Sequence, residues 1–244
     1  MGLKDRLRLR VVLVEPESGG NIGSVARAMK NFGFKDLWLV NPKARIDELA
    51  RAMASHAIDV LEGAKVVGTL REAIRDVDLA IGTTSKPSFG RSNLKRVPLA
   101  PEELAERLEG AKGAVALIFG RESIGLTNEE VEECDFIVSI PASEEYPVLN
   151  VAASAAIILY EIHRRSSRGW PQRRIASEGI KRRLEDRFLN LAELAGVPSH
   201  RAKLASRALR NIVSRSFATE REASLLLGIF RKASDRALGS GRSV

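Results

Sequence analysis

Cysteine and histidine are scarce in this sequence. It contains one cysteine, Cys134, and three histidines, at positions 56, 163 and 200. A single thiol excludes a framework of disulfide bonds within the chain, and the separated histidines lack the spacing of metal ligands. We therefore predict no metal site.

Long apolar segments are also missing. The longest apolar run covers residues 151–160, contains Ser154 and is too short to cross a bilayer. The N-terminus alternates charged residues with leucine and does not carry the apolar core of a secretory signal. We expect a soluble protein of the cytoplasm that does not interact with membranes.

Basic charge is abundant but unevenly distributed along the 244 residues, whose net charge is +8. Residues 1–163 carry 20 Lys and Arg against 24 Asp and Glu, whereas residues 164–244 carry 19 against 7. Most of the excess is arginine, whose guanidinium suits phosphate groups. The C-terminal part is therefore predicted to bind nucleic acid. A basic DNA-binding protein would explain this part but not the acidic first 163 residues.

The first 165 residues alternate short apolar strands with helices, which predicts an α/β fold with an open, mostly parallel sheet. Continuous apolar runs suit strands that are buried on both faces. Pro101 predicts the first turn of a helix, and Thr69 and Thr127, each followed three residues later by Glu, mark two helix starts. Strands are predicted at 9–14, 37–40, 77–82, 114–119 and 136–140, and helices at 47–55, 101–108 and 150–165.

The C-terminal part has no strand pattern. After a basic stretch at 166–174, helices are predicted over 176–195, 199–213 and 219–238. The chain is therefore expected to contain an α/β domain at 1–165, a basic linker at 166–176 and a small, all-helical, basic extension at 177–244.

The first candidate site follows the first strand. Gly19, Gly20 and Gly23 indicate a turn that leads into a helix, with Asn21 as the expected N-cap. Backbone N–H groups at such a helix start can bind an anion. The glycines do not form a G-x-G-x-x-G pattern, and residues 40–42 supply no acidic side chain after the second strand. A Rossmann-type nucleotide enzyme is therefore disfavoured.

The second candidate site follows the strand at 114–119. Gly120 and Gly125 bracket a tight loop at the carboxyl end of that strand, the edge at which open α/β sheets bind ligands. Between them, the Glu122 carboxylate is expected to hold the loop by accepting backbone N–H groups. Residues 83–85, Thr-Thr-Ser, form a similar loop after the strand at 77–82.

Three stretches of the sequence resemble, in the same order, the motifs of one enzyme family. They are residues 21–27 (NIGSVAR), 119–126 (FGRESIGL) and 140–153. Together they resemble the SpoU/TrmH branch of the SPOUT methyltransferases, most closely the archaeal-type TrmJ tRNA 2'-O-methyltransferases, over residues 8–163. The resemblance implies a sheet domain ending in a trefoil knot, S-adenosyl-L-methionine as cofactor, a homodimer, and tRNA cytidine at anticodon-loop position 32 as substrate.

Four residues are predicted to be catalytic. Arg27 matches the family's catalytic arginine, and Asn21, Tyr146 and Asn150 complete the set. Because an arginine pKa lies above about 12, Arg27 is a poor proton acceptor. We expect its guanidinium to hold the adjacent phosphate and to stabilise the developing alkoxide. Bacterial relatives commonly carry Ser where this chain has Val148, so Tyr146 or solvent is expected to help the ribose proton leave.

The methyl donor is expected to bind to the second motif, the third motif and the loop at 83–85, which resembles a further donor-contacting segment of the family. The predicted donor-binding residues are Thr83, Thr84, Ser85, Phe119, Gly120, Glu122, Gly125, Ile140, Val148 and Leu149.

The basic extension is expected to bind the tRNA backbone with little sequence selectivity. Its predicted RNA-binding residues are Arg182, Arg183, Arg187, Arg201, Lys203, Arg207 and Arg210. The helix that begins at Asn150 is a candidate dimer interface, with ordinary core packing as an equal alternative. The residues concerned are Val151, Ala152, Ala155, Ile158 and Leu159.

Two functional alternatives stay open. The chain could be a non-catalytic RNA-binding or donor-binding relative that has kept the fold, and Val148 is the main support for this alternative. The joint presence of Asn21, Arg27, Glu122 and Asn150 argues against it. A methyltransferase that acts on another RNA, such as rRNA, would carry the same motifs.

Overall fold

The computed structural model describes residues 7–85, 98–166 and 173–240. Two units are distinguished by their internal packing, Met1–Gln172 and Arg173–Val244. The predicted donor-binding and catalytic residues belong to the first unit, and the predicted RNA-binding residues to the second.

Six parallel strands form the sheet of the first unit. They are β1 (Leu7–Val14), β2 (Asp36–Val40), β3 (Lys65–Val67), β4 (Leu79–Thr83), β5 (Ala111–Phe119) and β6 (Phe136–Val138). Their order across the sheet is β3-β2-β1-β5-β4-β6, and every neighbouring pair is parallel. The predicted α/β fold with an open parallel sheet is confirmed. β3 was not predicted from the sequence, because three residues are too few for a periodic signal.

Seven helices connect or follow the described strands of the first unit, together with a 3-10 turn at Ser55–Ala57. They are α1 (Gly19–Asn31), α2 (Glu48–Ala54), α3 (Ile58–Glu62), α4 (Leu70–Ile74), α5 (Pro101–Leu108), α6 (Asn128–Glu133) and α7 (Val151–Ser166). The start of α5 at Pro101 is as predicted, because a proline at this position loses no helical hydrogen bond. The start of α6 is also as predicted, since Thr127 and Glu130 form a reciprocal capping box.

The predicted N-cap of α1 is wrong. Ser18 is the N-cap, and its hydroxyl accepts the backbone N–H of Asn21 at 3.4 Å. Asn21 therefore lies in the first turn of the helix, with its side-chain amide available to other partners. The strand predicted at 136–140 ends at Val138, so Ile140 lies in the loop that follows β6.

The two central strands lie in the apolar core. Residues 11–14 of β1 and 115–118 of β5 are almost completely buried, as expected for strands covered on both faces. Three of the residues named above for a dimer interface, Ala155, Ile158 and Leu159, have no exposed surface. They are core residues, and the large apolar side chains of α7 that are exposed are Ile157 and Tyr160.

A buried arginine stabilises the sheet at the beginning of β2. Arg10 is 5% exposed, and its guanidinium lies 4.0 Å from the Trp38 ring centroid. Its nitrogen atoms donate to the carboxylates of Asp36 at 3.0 Å and of Asp76 at 2.6 and 3.1 Å. The charge of Arg10 is therefore fully paired within the fold, as a buried charge requires.

The second unit contains three helices, α8 (Glu178–Leu194), α9 (Ser199–Arg215) and α10 (Glu220–Ser240). Both α9 and α10 pack against α8. The unit is not free of β structure, since a two-residue strand occurs at Arg173–Arg174 and an antiparallel bridge joins Ile175 to Thr219. Across both units, none of the helices described is both long enough and apolar enough to cross a membrane.

Candidate active site

A cavity of about 770 Å³ lies at the carboxyl ends of β4, β5 and β6. The last residues of these strands, Thr83, Phe119 and Val138, are part of its wall. This is the edge at which open parallel sheets place their ligand sites. Further parts of the wall come from residues 120–126, the loop after β6 and the start of α7, with contributions from α1, α6 and the loop after β4.

All ten residues predicted to bind the methyl donor line this cavity, although they come from three separate parts of the chain. Three of the four predicted catalytic residues, Asn21, Tyr146 and Asn150, line it as well. Arg27 does not. It lies about two turns into α1, where its side chain is exposed.

Two side-chain hydrogen bonds join the three motifs. The amide nitrogen of Asn150 donates to Oδ1 of Asn21 at 2.9 Å, and Nδ2 of Asn21 donates to Oε1 of Glu122 at 2.9 Å. Oδ1 of Asn150 also accepts the backbone N–H of Ala152 at 2.8 Å and so caps the start of α7. In each asparagine, both the amide oxygen and the amide nitrogen of the side chain are hydrogen bonded, which fixes the orientation of both side chains.

Reciprocal contacts hold the second motif against the loop that follows β1. Oε2 of Glu122 accepts the backbone N–H of Glu17 at 2.9 Å. In return, the Glu17 carboxylate accepts the backbone N–H of Ser123 at 3.1 Å and its hydroxyl at 2.7 Å. Glu122 thus accepts a backbone N–H group, as the sequence analysis expected, but the group belongs to a different loop.

Two backbone hydrogen bonds close the loop at 120–126 at its base. The N–H of Arg121 donates to the carbonyl of Gly125 at 3.2 Å, and the N–H of Gly125 donates to the carbonyl of Arg121 at 2.9 Å. A Cβ atom at Gly120 would overlap the backbone of Gly125 and Leu126. Gly125 has a φ of +73°, a left-handed conformation that favours glycine.

Sequence reasoning did not identify Arg121 as part of the site. Its guanidinium donates to both carboxylate oxygens of Glu130, at 2.9 Å each, and its Nε donates to Glu15 at 3.1 Å. Hydrogen bonds from Arg121 and then from Asn41 lower the pKa of Glu15 to about 2. The carboxylate of Glu130, with a further contribution from Glu15, raises the pKa of Arg121. No local pattern could indicate this arrangement, because Glu15 and Arg121 are 106 positions apart.

The remaining predicted residues differ in how firmly they are held. The hydroxyl of Thr83 donates to the carbonyl of Ile118 at 3.0 Å, and the backbone N–H of Thr84 donates to the carbonyl of Val138 at 3.0 Å. The 83–85 loop is thus tied to the sheet. The side chain of Tyr146 is 78% exposed and that of Val148 is 44% exposed, so both stand at the opening of the cavity.

The site contains no candidate metal centre among the described residues. Within the described ranges, no group of three or more His, Cys, Asp or Glu residues could hold a metal ion.

The predicted RNA-binding residues of the second unit fall into two groups. Arg182 and Arg210 pair with Glu178 at 3.1 and 2.6 Å, and Nε of Arg183 donates to the carbonyl of Gly179 at 3.2 Å. Arg210 also lies 3.7 Å from the carboxylate of Glu185. The other members are exposed on α8 and α9, and they are Arg187, Arg201, Lys203 and Arg207.

The chain is similar to known proteins in sequence and in fold. The chain is 40% identical to the tRNA (cytidine-2'-O-)-methyltransferase TrmJ of Methanocaldococcus jannaschii over 92% of this chain and 99% of that protein. It is 35% identical to the tRNA (cytidine-2'-O-)-methyltransferase TrmJ of Sulfolobus acidocaldarius over 93% of both. The crystal structure of TrmJ from Z. mobilis superposes with a TM-score of 0.65 at 29% identity, covering 91% of this chain and 97% of that one.

A family model described as the SpoU rRNA Methylase family matches residues 8–160, which is more than half of the chain. The match includes all three motifs whose side chains meet in the cavity. The chain belongs to the SpoU rRNA methylase family.

Proposed function

We propose that this protein transfers a methyl group from S-adenosyl-L-methionine to the ribose 2'-hydroxyl of tRNA, at the cytidine in anticodon-loop position 32. The observation that carries the proposal is the meeting of all three motifs in one cavity, joined by the Asn150–Asn21–Glu122 hydrogen bonds. Two similar archaeal proteins are named as tRNA (cytidine-2'-O-)-methyltransferases. The position within the anticodon loop rests on the resemblance of the motifs.

The cavity suits the methyl donor in size and in chemistry. Its volume of about 770 Å³ falls within the range of roughly 300–1,000 Å³ that is common for small-molecule sites. Phe119, Ile140 and Leu149 supply apolar wall, and the loops at 83–85 and 120–126 supply backbone and hydroxyl groups. When bound, the donor supplies a methyl group that is already activated on a sulfonium.

The protein's part in the reaction is to align the ribose hydroxyl and to manage its proton. Alignment of this kind is worth about 7–11 kcal/mol in favourable intramolecular reactions. Tyr146 stands at the cavity opening, where its hydroxyl or solvent can take part in removing the proton. We assign Arg27 to the phosphate beside the reacting ribose, where its planar fork can hold two oxygen atoms and stabilise the developing alkoxide.

The position of Arg27 supports a homodimer. Because Arg27 is exposed on α1 and does not line the cavity of its own chain, we propose that it serves the cavity of a second copy. Exposed apolar side chains on α7, Ile157 at 38% and Tyr160 at 47%, are the proposed contact surface. The segment that runs from the predicted strand at 136–140 to Asn150 and into α7 is the part that we propose to be threaded into a trefoil knot.

The second unit is proposed to supply affinity for tRNA through the phosphate backbone. The four exposed basic residues on α8 and α9, Arg187, Arg201, Lys203 and Arg207, are the main candidates, because Arg182 and Arg210 already pair with a carboxylate. We propose the residues up to 165 as the methyltransferase domain and 177–244 as the RNA-binding extension. A tRNA substrate would place the protein in the cytoplasm.

The proposal is tested by incubating the purified full chain with methyl-labelled S-adenosyl-L-methionine and an unmodified tRNA transcript. The expected product is one 2'-O-methyl group at nucleotide 32, located by nuclease digestion and mass spectrometry. A matched transcript with 2'-deoxycytidine at position 32 lacks the acceptor hydroxyl and should take up no label. Label in the deoxy transcript would show that the position is wrong.

Two further outcomes separate the alternatives. Transfer to rRNA but not to tRNA would identify a different RNA substrate. Binding of S-adenosylhomocysteine and tRNA without any transfer would identify a non-catalytic relative. Calorimetry that detects no binding of S-adenosylhomocysteine would overturn the proposal, because the cavity would then have no donor to hold.

A further inference from the structure

Arg121, Glu15 and Glu130 form an ion network, called here the Arg121 network, that lies against the cavity but is not needed to explain the transfer itself. The Arg121 side chain is only 12% exposed and donates to both carboxylates. The two-pronged contact with Glu130 fixes the plane of the guanidinium. Arg121 follows Gly120 directly, so this contact fixes the beginning of the loop at 120–126.

Glu130 extends the network to the end of the same loop. Its Oε2 accepts the backbone N–H of Thr127 at 2.8 Å, and its own N–H donates to the Thr127 hydroxyl at 3.3 Å. The carboxylate that holds Arg121 therefore also caps α6, which begins where the loop ends. One side chain thus fixes both ends of the 120–126 segment.

Glu15 extends the network to the neighbouring loop ends. It has a φ of +45°, and Asn41, the first residue after β2, has a φ of +44°. Such left-handed conformations are uncommon outside glycine and persist where surrounding contacts enforce them. The backbone N–H of Glu15 donates to the carbonyl of Val40 at 2.7 Å, and Nδ2 of Asn41 donates to Oε1 of Glu15 at 3.0 Å. These two hydrogen bonds hold the ends of β1 and β2 together, and Glu15 in turn contacts Arg121 at the beginning of the 120–126 loop.

We propose that Arg121 is a positioning residue for the methyl donor, acting through the shape of the 120–126 loop. The inference rests on the proposed function, because the ligand that this loop would meet is the donor. The loop lines the cavity with most of its residues, and the Arg121 network holds it at both ends. A loop that is already in its bound shape loses little conformational freedom on binding, which strengthens affinity.

The test compares the full-length chain with Arg121→Lys and Arg121→Gln by calorimetry with S-adenosylhomocysteine. Lysine keeps the positive charge but cannot make the bidentate hydrogen bonds of the guanidinium, and glutamine loses both the charge and the bidentate contact. We expect the dissociation constant to rise about tenfold for Arg121→Gln and less for Arg121→Lys, since a misplacement of about 1 Å in a site can cost up to about 100-fold. The fitted stoichiometry should stay at one site per chain, and KM for the donor should rise more than kcat falls.

Arg10→Lys is the matched control. Arg10 is also a buried arginine between two carboxylates, but it does not line the cavity. We expect this variant to melt at a lower temperature and to bind S-adenosylhomocysteine with the affinity of the unchanged chain. Weakened binding in Arg10→Lys equal to that of the Arg121 variants would overturn the proposal, because general destabilisation would then explain both.

Glu15→Gln provides a milder variant in case Arg121→Gln does not fold. It removes one charge from the network but keeps the bidentate contact between Arg121 and Glu130, and we expect about a threefold weaker affinity, of the size of one modest hydrogen bond. Two outcomes would show that Arg121 has a purely structural role. One is a dissociation constant that is unchanged in both Arg121→Lys and Glu15→Gln. The other is a loss of binding that appears only as a reduced stoichiometry, with the affinity of the remaining sites unchanged. A chain that binds no S-adenosylhomocysteine before any substitution would instead contradict the proposed function.

Discussion

The side chains of Asn150 and Asn21 are hydrogen bonded across 129 positions of the chain, with the amide nitrogen of Asn150 donating to Oδ1 of Asn21 at 2.9 Å. This hydrogen bond places the beginning of α7 beside the first turn of α1. Because Asn150 also caps α7 through Ala152, its two functions can be separated by substitution.

Asn150→Asp keeps the acceptor that caps α7 but replaces the donor to Asn21 with a carboxylate oxygen. We expect weaker S-adenosylhomocysteine binding with little change in the free energy of unfolding. Asn150→Ala removes both hydrogen bonds and should weaken binding and also lower the free energy of unfolding by about 0.5–2 kcal/mol, the usual cost of removing a cap. Calorimetry and urea unfolding of the two variants would measure this difference. Equal binding by all three proteins would contradict the assigned role of the asparagine pair.

Gly120 and Gly125 should respond differently to alanine. Gly120→Ala forces a Cβ atom into the backbone of Gly125, and we expect the cavity loop to be displaced, with loss of most donor binding. At Gly125 no atom lies within 4 Å of the added Cβ, so Gly125→Ala should cost only the left-handed conformation, about 1–2 kcal/mol. Measurements of the melting temperature and of the affinity for S-adenosylhomocysteine would distinguish the two variants. The prediction is wrong if Gly125→Ala is the more damaging change.

Arg27→Lys tests the role proposed for the catalytic arginine. Lysine keeps the positive charge and loses the fork, so we expect kcat to fall about 100-fold, the scale for one transition-state donor. Donor affinity should not change, because the proposed partner of Arg27 is the phosphate beside the reacting ribose and not the methyl donor. Single-turnover methylation of tRNA, with calorimetry on the same sample, measures both quantities. Full turnover by this variant would exclude a two-pronged contact with phosphate.

Alanine at the four exposed basic positions, Arg187, Arg201, Lys203 and Arg207, should weaken tRNA binding and flatten its dependence on salt. The slope of log affinity against log salt should decrease by about one unit for each phosphate that is no longer neutralised. Filter binding at several salt concentrations measures the slope. Arg210→Ala is the control, since Arg210 pairs with Glu178 and Glu185. A larger loss of affinity for Arg210→Ala than for the fourfold variant would reverse the assignment.

The pKa of Glu15, lowered to about 2 by Arg121 and Asn41, predicts a dependence of stability on pH. A carboxyl group whose pKa is lower in the folded state stabilises the fold above its unfolded pKa, and this stabilisation is lost as the pH falls through the folded pKa. Glu15→Gln should therefore be less stable than the unchanged chain at pH 7. The difference in the free energy of unfolding between the two proteins should shrink as the pH falls from about 4.5 to about 2. Urea unfolding of both proteins across this range would show it, and a constant difference would be contrary to expectation.

Local signals in the sequence were sufficient for much of the fold. The apolar runs at 77–82 and 114–119 predicted parallel strands, and both occur with shifted ends as β4 and β5. Pro101 marked the start of α5, and the Thr127 and Glu130 pair marked the start of α6. In each case the physical cause lies within a few residues, so it can be recognised without tertiary structure.

Interactions between distant residues could not be predicted in this way. Ser18 and Asn21 are both good N-cap residues, and only the partners of Asn21, Glu122 and Asn150, show why its side chain is used elsewhere. The Arg121 network was missed because it depends on the left-handed turn that ends β1. The apolar face of α7 was ambiguous, since burial in a core and burial in an interface demand the same side chains.

The cavity wall draws on residues from position 21 to position 158, which has a consequence for synthesis on the ribosome. Domains generally fold as units while the chain is being made. A nascent chain that has not yet exposed α7 lacks one side of the wall, together with the partner of Asn21. Truncated translation products that stop before this point would therefore be unable to sequester the methyl donor.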